Sequence, residues 1–429
     1  MQLCLTLDHR FLQTPDGGVW TVTQCPYSFY EEYLEVFDSV RVIARAFPVT
    51  EAEPHFLPVE GPGVEFFPVA SYKGPVQYLR RVRSVRRSIQ SAVPQGSAVI
   101  LRVPSQVANT VEASLRARNH PYAVDIVADP YDVLSPAANP SPLAGVARVY
   151  FTRLMKDQAL RAIAIRYVTL NYLQQRYPAR GDANVMPPLD SPVTFNDSSR
   201  AGHQYVTAVS DANLPDDWFV EEPRRSLREK ESIHALFIGT LGSLYKGPDT
   251  LIRAVALAKS EGAHVLLRFA GSGKHVAELK SLAGSLGVGE QITFLGDVQA
   301  GAGIRAELDR SDVFVLPSRA EGVPRAMLEA MARGLPCLGS HAGGIPELLH
   351  EEDRVQCNDA SALAAKFVQI SGDGGRVARM SIRNLQTARK YATSRLRERR
   401  RGFLEAVREL TADHHRSGAA TARPANLSA

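Results

Sequence analysis

Apolar residues in this chain come in short runs that stop at glycine or proline. In the second half these are His234-Ala-Leu-Phe-Ile-Gly239, Val265-Leu-Leu-Arg-Phe-Ala270, Ile292-Thr-Phe-Leu295, Val313-Phe-Val-Leu-Pro317 and Pro336-Cys-Leu-Gly339. Runs this short, with little polar alternation, read as strands buried on both faces. Between them lie longer stretches of helical period. Pro248 opens one, and proline suits a first helical turn because its missing N–H has no partner there anyway. Strands alternating with helices predict a parallel sheet covered on both sides. The first half repeats the pattern more loosely, with candidate strands at Leu3–Leu7, Val40–Ala44, Val64–Val69, Ala98–Val103 and Val124–Ala128. Tyr167-Val-Thr-Leu-Asn-Tyr-Leu-Gln-Gln-Arg-Tyr-Pro178 reads as a strand turning into a helix.

At 429 residues the chain is long enough for two domains. The expected division is a first α/β domain over 1–188, a linker rich in Ser, Asp, Arg and Pro over 189–232, and a second α/β domain over 233–385. A charged helix over 386–411 then returns to the first domain, and 412–429 is a disordered tail. No run of eighteen apolar residues is present, which predicts no membrane span. Met1–Asp8 reads as a buried strand rather than a leader, so a cytoplasmic protein is expected. The four cysteines show no metal spacing, and Cys4 and Cys337 fall in predicted strands as small apolar residues. Asp216-Asp217 sits on no strand edge, and no metal site is expected. The net charge of +5 is gathered in Arg80-Arg-Val-Arg-Ser-Val-Arg-Arg87 and Arg395-Leu-Arg-Glu-Arg-Arg-Arg401. In the first run Leu79, Val82, Val85 and Ile89 recur at helical spacing, so those residues pack while the arginines point out. Such helices suit solvent, or contact with anionic lipid headgroups, as at the inner face of a membrane, or with an acceptor phosphate. No nucleic-acid module accompanies them, and no Gly-x-Gly-x-x-Gly follows the first strand as a dinucleotide site would require.

The candidate chemistry lies where strands end. Glu321 follows Val313–Pro317 in a loop, and Glu329 stands eight positions on, about two turns into the next helix. Acids placed so can meet two parts of one ligand at the carboxyl edge of a parallel sheet. Lys246 precedes Gly247-Pro248, where free amides, the helix dipole and an ammonium together favour an anion such as phosphate.

Phe237-Ile-Gly-Thr-Leu241, Tyr245-Lys-Gly-Pro-Asp249, Phe269-Ala-Gly-Ser-Gly273, Phe294-Leu-Gly296, Glu321-Gly-Val-Pro324 with Glu329-Ala-Met-Ala-Arg-Gly-Leu-Pro336, and Gly343-Gly-Ile-Pro-Glu347 follow in order over residues 233–350. Together they resemble the nucleotide-binding half of retaining GT-B glycosyltransferases of the family-four type, the glycosyl transferases group 1. The resemblance implies two Rossmann-like domains with parallel sheets facing across a cleft. It implies a retaining transfer of a hexose from a nucleotide diphosphate sugar, a substrate rather than a cofactor, to an acceptor hydroxyl. UDP is taken over GDP as the commoner base. The acceptor would be a glycan or glycolipid in surface polysaccharide assembly, with peripheral membrane contact. A small natural-product acceptor, or an inactive sugar-nucleotide binder, is the alternative.

Carried over by position, Lys246 neutralises the diphosphate and Glu321 faces the transferred sugar. The backbone of Gly322 and Val323 lies near its hydroxyls or phosphate, and Glu329 accepts from the ribose hydroxyls. Two departures stand out. Thr240 holds a donor-site position where the family has Arg, so a cation is missing or Arg319 or Arg325 replaces it. Asp129, in Asp129-Pro-Tyr-Asp132, stands where the family has a His on the donor sugar, and is an active-site candidate. Gly17-Gly18, after the first strand, resembles the glycine loop placed against donor phosphates and acceptor. His9 and Arg10 are cleft-edge candidates, Asp132 is a weaker one, and His120 and His203 read as surface residues.

Overall fold

The computed structural model describes residues 1–22, 24–135, 144–181, 184–185, 203–228 and 231–421. The first sheet holds β1 (Gln2–Gln13), β2 (Val19–Thr21), β3 (Ser39–Pro48), β4 (Leu57–Pro58), β5 (Val64–Val69), β6 (Ala98–Val103), β7 (Ala123–Ile126), β8 (Ala164–Tyr167), β9 (Asn184–Val185) and β10 (Tyr205–Ala208). Its main body is parallel, in the order β5-β3-β1-β6-β7-β8-β10-β9. β1 outruns its expected end at Leu7 because Arg10–Gln13 pair parallel with β3, and Leu12 and Gln13 also pair antiparallel with β2. The second sheet is wholly parallel, in the order β13-β12-β11-β14-β15-β16, from β11 (Ile233–Ile238), β12 (Val265–Ala270), β13 (Ile292–Gly296), β14 (Val313–Leu316), β15 (Cys337–Ser340) and β16 (Arg354–Val355). All four residues of β14 are buried, as its unbroken apolar run demands of a strand covered on both faces.

In the first domain α2 (Gly74–Ile89), α3 (Gln106–Ala117) and α5 (Ala144–Arg161) cover one sheet face, and α1 (Glu31–Leu34) lies on the other. The short α4 (Pro130–Val133) and α6 (Tyr172–Arg176) sit at strand ends. The second domain is wrapped by α7 (Pro248–Ser260), α8 (Val276–Ser285), α9 (Ala302–Asp309), α10 (Arg325–Ala332), α11 (Ile345–Leu348), α12 (Ala360–Gly372) and α13 (Gly374–Arg389). α14 (Thr393–Thr421) then crosses back and sinks Phe403, Leu404, Val407 and Leu410 into the first domain's core. Full burial of such side chains is worth about 1.5–3 kcal/mol each, enough to hold the two domains in one unit. Among the described residues no helix is long and apolar enough to cross a membrane.

Four expectations change. β10 lies inside the stretch read as linker yet pairs with β8, because Tyr205 and Val206 complete the first core. Beyond it, Leu214 is buried in the second core, and Val220 N–H and Arg224 bond Ala332, Ser311 and Ser381, so the connector is strapped down there. The last helix does not stop at 411. Thr411 is fully buried and His414 bonds the Asn119 carbonyl at 3.0 Å, which carries the helix to Thr421; residues 422–429 of the expected tail lie outside the described residues. His120 is buried against His415 rather than on the surface. Leu79 is 69% exposed, and Tyr78 takes the inward place on α2.

Candidate active site

The second sheet's carboxyl edge is built by backbone packing between loops. Gly247, at φ +72°, caps α7, and a Cβ there would meet the Pro317 carbonyl at 2.1 Å. Only glycine lets the Lys246 turn lie against the strand end that carries Glu321. Gly343 does the same from the other side, where a Cβ would fall 1.7 Å from the Glu321 carbonyl. Three loops thus converge on Glu321. Its Oε1 accepts from Lys246 Nζ at 2.7 Å and from the Ser318 hydroxyl at 2.8 Å, and both Lys246 and Glu321 are largely buried. Burial pulls the Lys246 ammonium down, but the charges of Glu321 and Tyr245 outweigh it and raise its pKa.

Glu329 lies one turn into α10, since that helix begins at Arg325, not two turns in as expected. Burial raises its pKa, and Arg325 one turn earlier opposes the shift. Among the described residues no hydrogen-bond donor engages its carboxylate. The N–H groups of Gly322 and Val323 likewise have no hydrogen-bond partner among the described residues. Acceptors and donors left unused by a fold are available to a ligand.

The two arginines offered as replacements for the missing cation differ. Arg319 is clamped by Asp249 at 2.7 Å, Asn358 at 2.5 Å and the Leu244 carbonyl, so it serves to hold the Lys246 loop in place. Arg325 lines the cleft. Thr240 is exposed, and its hydroxyl accepts from the Gly242 N–H at 3.1 Å.

A cavity of about 730 Å³ separates the domains, lined by Cys25, Arg102 and Asp211 on one side and by Gly322, Val323 and Arg325 on the other. Arg166, Arg397 and Arg400 also reach it. Arg102 and Arg166 are held by Asp125 and Asp211, Arg397 by Glu35, and Arg400 by Glu32. Arg325 is the one lining arginine without a carboxylate partner among the described residues. Burial would raise the Asp211 carboxyl, but Arg102 and Arg166 outweigh it and hold it well below the usual range. Burial also pushes the Cys25 thiol up to about 11.

Two N-terminal candidates stand elsewhere. Gly17 and Gly18 form the β1–β2 hairpin turn, with Thr14 N–H on the Gly18 carbonyl at 3.0 Å and Gly17 at φ +93°. They serve chain reversal and do not line the cavity. The segment after β2, from Gln24 to Glu35, lines it instead. Asp129 caps α4 and is saturated. Its Oδ1 accepts from Tyr131 N–H at 2.8 Å and Tyr177 OH at 2.5 Å, and its Oδ2 from Arg176 at 2.7 Å and Tyr172 OH at 3.2 Å. With every lone pair spent inside the first domain, it orients protein groups rather than a sugar. Asp132 joins the same network through Tyr172. His9 bonds Thr21 at 2.9 Å within the hairpin.

Two functional features escaped sequence reading. Glu347 caps the start of α6 across the domain junction, accepting from the N–H groups of Leu170, Asn171 and Tyr172 at 2.6, 2.9 and 2.8 Å. Its partners lie more than 170 residues away, so no local signal marks it. The Arg102–Asp125–Arg166–Asp211 lattice joins three strands with a loop, and only the parallel register brings it together.

A family model described as "Glycosyl transferases group 1" matches residues 219–386. Protein CapJ of Staphylococcus aureus is 23% identical over 326 residues, 76% of this chain and 75% of that protein. The putative colanic acid biosynthesis glycosyltransferase WcaL of Salmonella typhimurium is 34% identical over 135 residues, 29% of this chain and 33% of that protein. Among solved structures, sucrose-phosphate synthase of Thermosynechococcus elongatus aligns with TM-score 0.62 at 16% identity, covering 98% of this chain and all of that one. HepE of Anabaena, in complex with UDP and glucose, aligns with TM-score 0.58 at 15% identity, covering 97% of this chain and all of that one. The fold is that of the GT-B glycosyltransferases.

Proposed function

We propose, from the group 1 glycosyltransferase model matched by residues 219–386 and from the GT-B frame, that this chain moves a hexose from a nucleotide diphosphate sugar to an acceptor hydroxyl with retention of configuration. The observation that carries this reading is the set of unspent groups along one sheet edge: the Gly322 and Val323 amides, the Glu329 carboxylate and the Arg325 guanidinium. In the proposed complex Glu329 accepts from the ribose diol, a task suited to a carboxylate with two open oxygens. Lys246 and Arg325 neutralise the diphosphate, with Thr240 contributing a hydroxyl in place of the expected guanidinium. These donors stabilise the charge that grows on the leaving diphosphate, and the scheme calls for no metal. A leaving-phosphate oxygen takes the acceptor proton as the acceptor oxygen bonds to the anomeric carbon on the face the diphosphate leaves. Glu321 orients the sugar and forms no covalent bond to it.

The acceptor enters the cavity beneath Cys25, Arg102 and Asp211. The polysaccharide named for WcaL supports a glycan or glycolipid acceptor, and the UDP in the HepE complex supports a UDP-sugar. The protein would then work on the cytoplasmic side, where sugar nucleotides are available. The test is the anomeric proton of the sugar in the first product, read by NMR before mutarotation during slow donor hydrolysis. Retention, lost together with turnover in Glu321→Gln, supports the scheme; an inverted product overturns it.

A further inference from the structure

We propose that Glu347 is a positioning residue: it ties the loop that carries the Gly322 and Val323 amides to the first domain, and so sets the donor against the acceptor side of the cleft. Glu347 stands on α11 in the second domain, half-buried, with no ion pair among the described residues. Its two oxygens are spent on the backbone of the other domain. Oε2 accepts from Leu170 N–H at 2.6 Å, and Oε1 from Asn171 and Tyr172 N–H at 2.9 and 2.8 Å. Hydrogen bonds to an ionised acceptor are about twice as strong as neutral ones. What the loop binds rests on the transferase reading; the tether itself does not.

The first domain leaves this place open for it. Asn171 occupies the N-cap of α6, and asparagine is among the best capping residues, yet its side chain makes no cap bond. The amides at this helix start go to Glu347 instead. α6 is also firmly held from behind, since Tyr172 and Arg176 bond Asp129 and Asp132. Leu170, just before it, packs against the second domain's core. The saturated Asp129 network thus fixes the three amides that Glu347 grips.

On its other side Glu347 is joined to the donor loop by backbone. Glu347 N–H bonds the Gly344 carbonyl at 3.1 Å, and Gly344 N–H bonds the Gly322 carbonyl at 3.0 Å. A Cβ on Gly344 would fall 2.6 Å from that Gly322 oxygen, so the turn is pressed against the loop. Gly322 in turn abuts the first domain, where a Cβ on it would meet the Val127 carbonyl at 3.2 Å. The tether and the donor-facing amides are therefore neighbouring layers of backbone, and releasing one lets the other shift. A misplacement of about 1 Å between reacting groups costs about a hundredfold in rate. Glu347 can therefore govern turnover without touching substrate. α14 still joins the domains in its absence, so losing the tether loosens the cleft and leaves both cores intact.

The test compares the full wild-type chain with Glu347→Ala and Glu347→Gln in two ways. Amide hydrogen exchange over residues 169–173, read by mass spectrometry, needs no nucleotide. The alanine variant should exchange there about tenfold faster or more, while exchange in the strands of both sheets stays at the wild-type level. Slow hydrolysis of UDP-glucose or GDP-mannose, whichever wild type accepts, reads the second effect. Its kcat should fall about a hundredfold in Glu347→Ala, with the affinity for UDP or GDP within about twofold of wild type. Glu347→Gln keeps one acceptor oxygen and should recover about tenfold of that loss. Wild-type exchange or wild-type kcat in Glu347→Ala overturns the proposal. So does a loss of nucleotide affinity equal to the loss of kcat, which would make Glu347 a support of the second domain alone. Where wild type binds and hydrolyses no sugar nucleotide, the transferase reading fails, and the exchange comparison still decides the tether.

Discussion

Asp129 and Glu329 are both carboxylates near the carboxyl edge of a parallel sheet, and both face the cleft between the sheets in a sequence-level reading. The fold treats them oppositely. Asp129 accepts four hydrogen bonds from its own domain. Glu329 accepts none among the described residues and has its pKa raised by burial. A buried acid with four donors is part of the frame, whereas one held without donors sits uncompensated until a ligand supplies them. The contrast extends to the domains. The second sheet's edge leaves donors and acceptors open, while the first sheet's edge closes Arg102, Arg166, Asp125 and Asp211 on one another.

The sharpest way to break that contrast is at Glu321, which touches the transferred sugar in the proposed scheme. Glu321→Gln should lower turnover about a thousandfold, roughly 4 kcal/mol, as losing a preorganised electrostatic contact does elsewhere, while leaving nucleotide affinity near wild type. Steady-state donor hydrolysis checks it. Asp129→Ala should act on stability instead. It strips Arg176 and Tyr177 of their acceptor, but Arg176 is over a third exposed, so we place the loss at about 2 kcal/mol, below the range for fully buried pairs. Nucleotide affinity of the folded protein should not change. Chemical denaturation and titration on one sample separate the two effects.

Glu329→Gln should do the reverse, weakening nucleotide binding about tenfold, roughly 1.4 kcal/mol, while raising the melting temperature at neutral pH. The sign follows from the raised pKa. The folded state holds the proton more tightly than the unfolded chain, so stability falls as pH rises through this range and the charged form is a cost at neutrality. Wild-type nucleotide affinity should accordingly fall as pH drops through the raised Glu329 pKa, and the glutamine variant should lack that dependence. Arg325→Ala is the smallest of the four. We expect about a fivefold loss of diphosphate affinity, near 1 kcal/mol, with adenosine or uridine lacking phosphate unaffected.

What the sequence disclosed follows the range of the forces involved. The second domain was readable strand by strand, because unbroken apolar runs such as Val313–Leu316 encode burial locally and glycines such as Gly247 mark close backbone approach. The first domain was harder. Gly17-Gly18 is local and ambiguous, and only the pairing of Leu12 with Trp20 shows that it turns a hairpin. The saturation of Asp129 depends on Tyr172, Arg176 and Tyr177, more than forty residues away, so no local signal in the sequence carries it. Glu347 and the Arg102 lattice were missed for the same reason. A residue type names a capacity for hydrogen bonding, and the tertiary fold decides whether that capacity is already used.

The central claim is that unspent groups at the second sheet's edge bind a sugar nucleotide. Calorimetric titration of UDP, GDP and ADP into wild type, Glu329→Gln and Asp129→Asn tests it most directly. One nucleotide should bind wild type and Asp129→Asn alike and Glu329→Gln about tenfold more weakly. Binding that survives in Glu329→Gln and is lost in folded Asp129→Asn would contradict the account and move the site to the first sheet's edge.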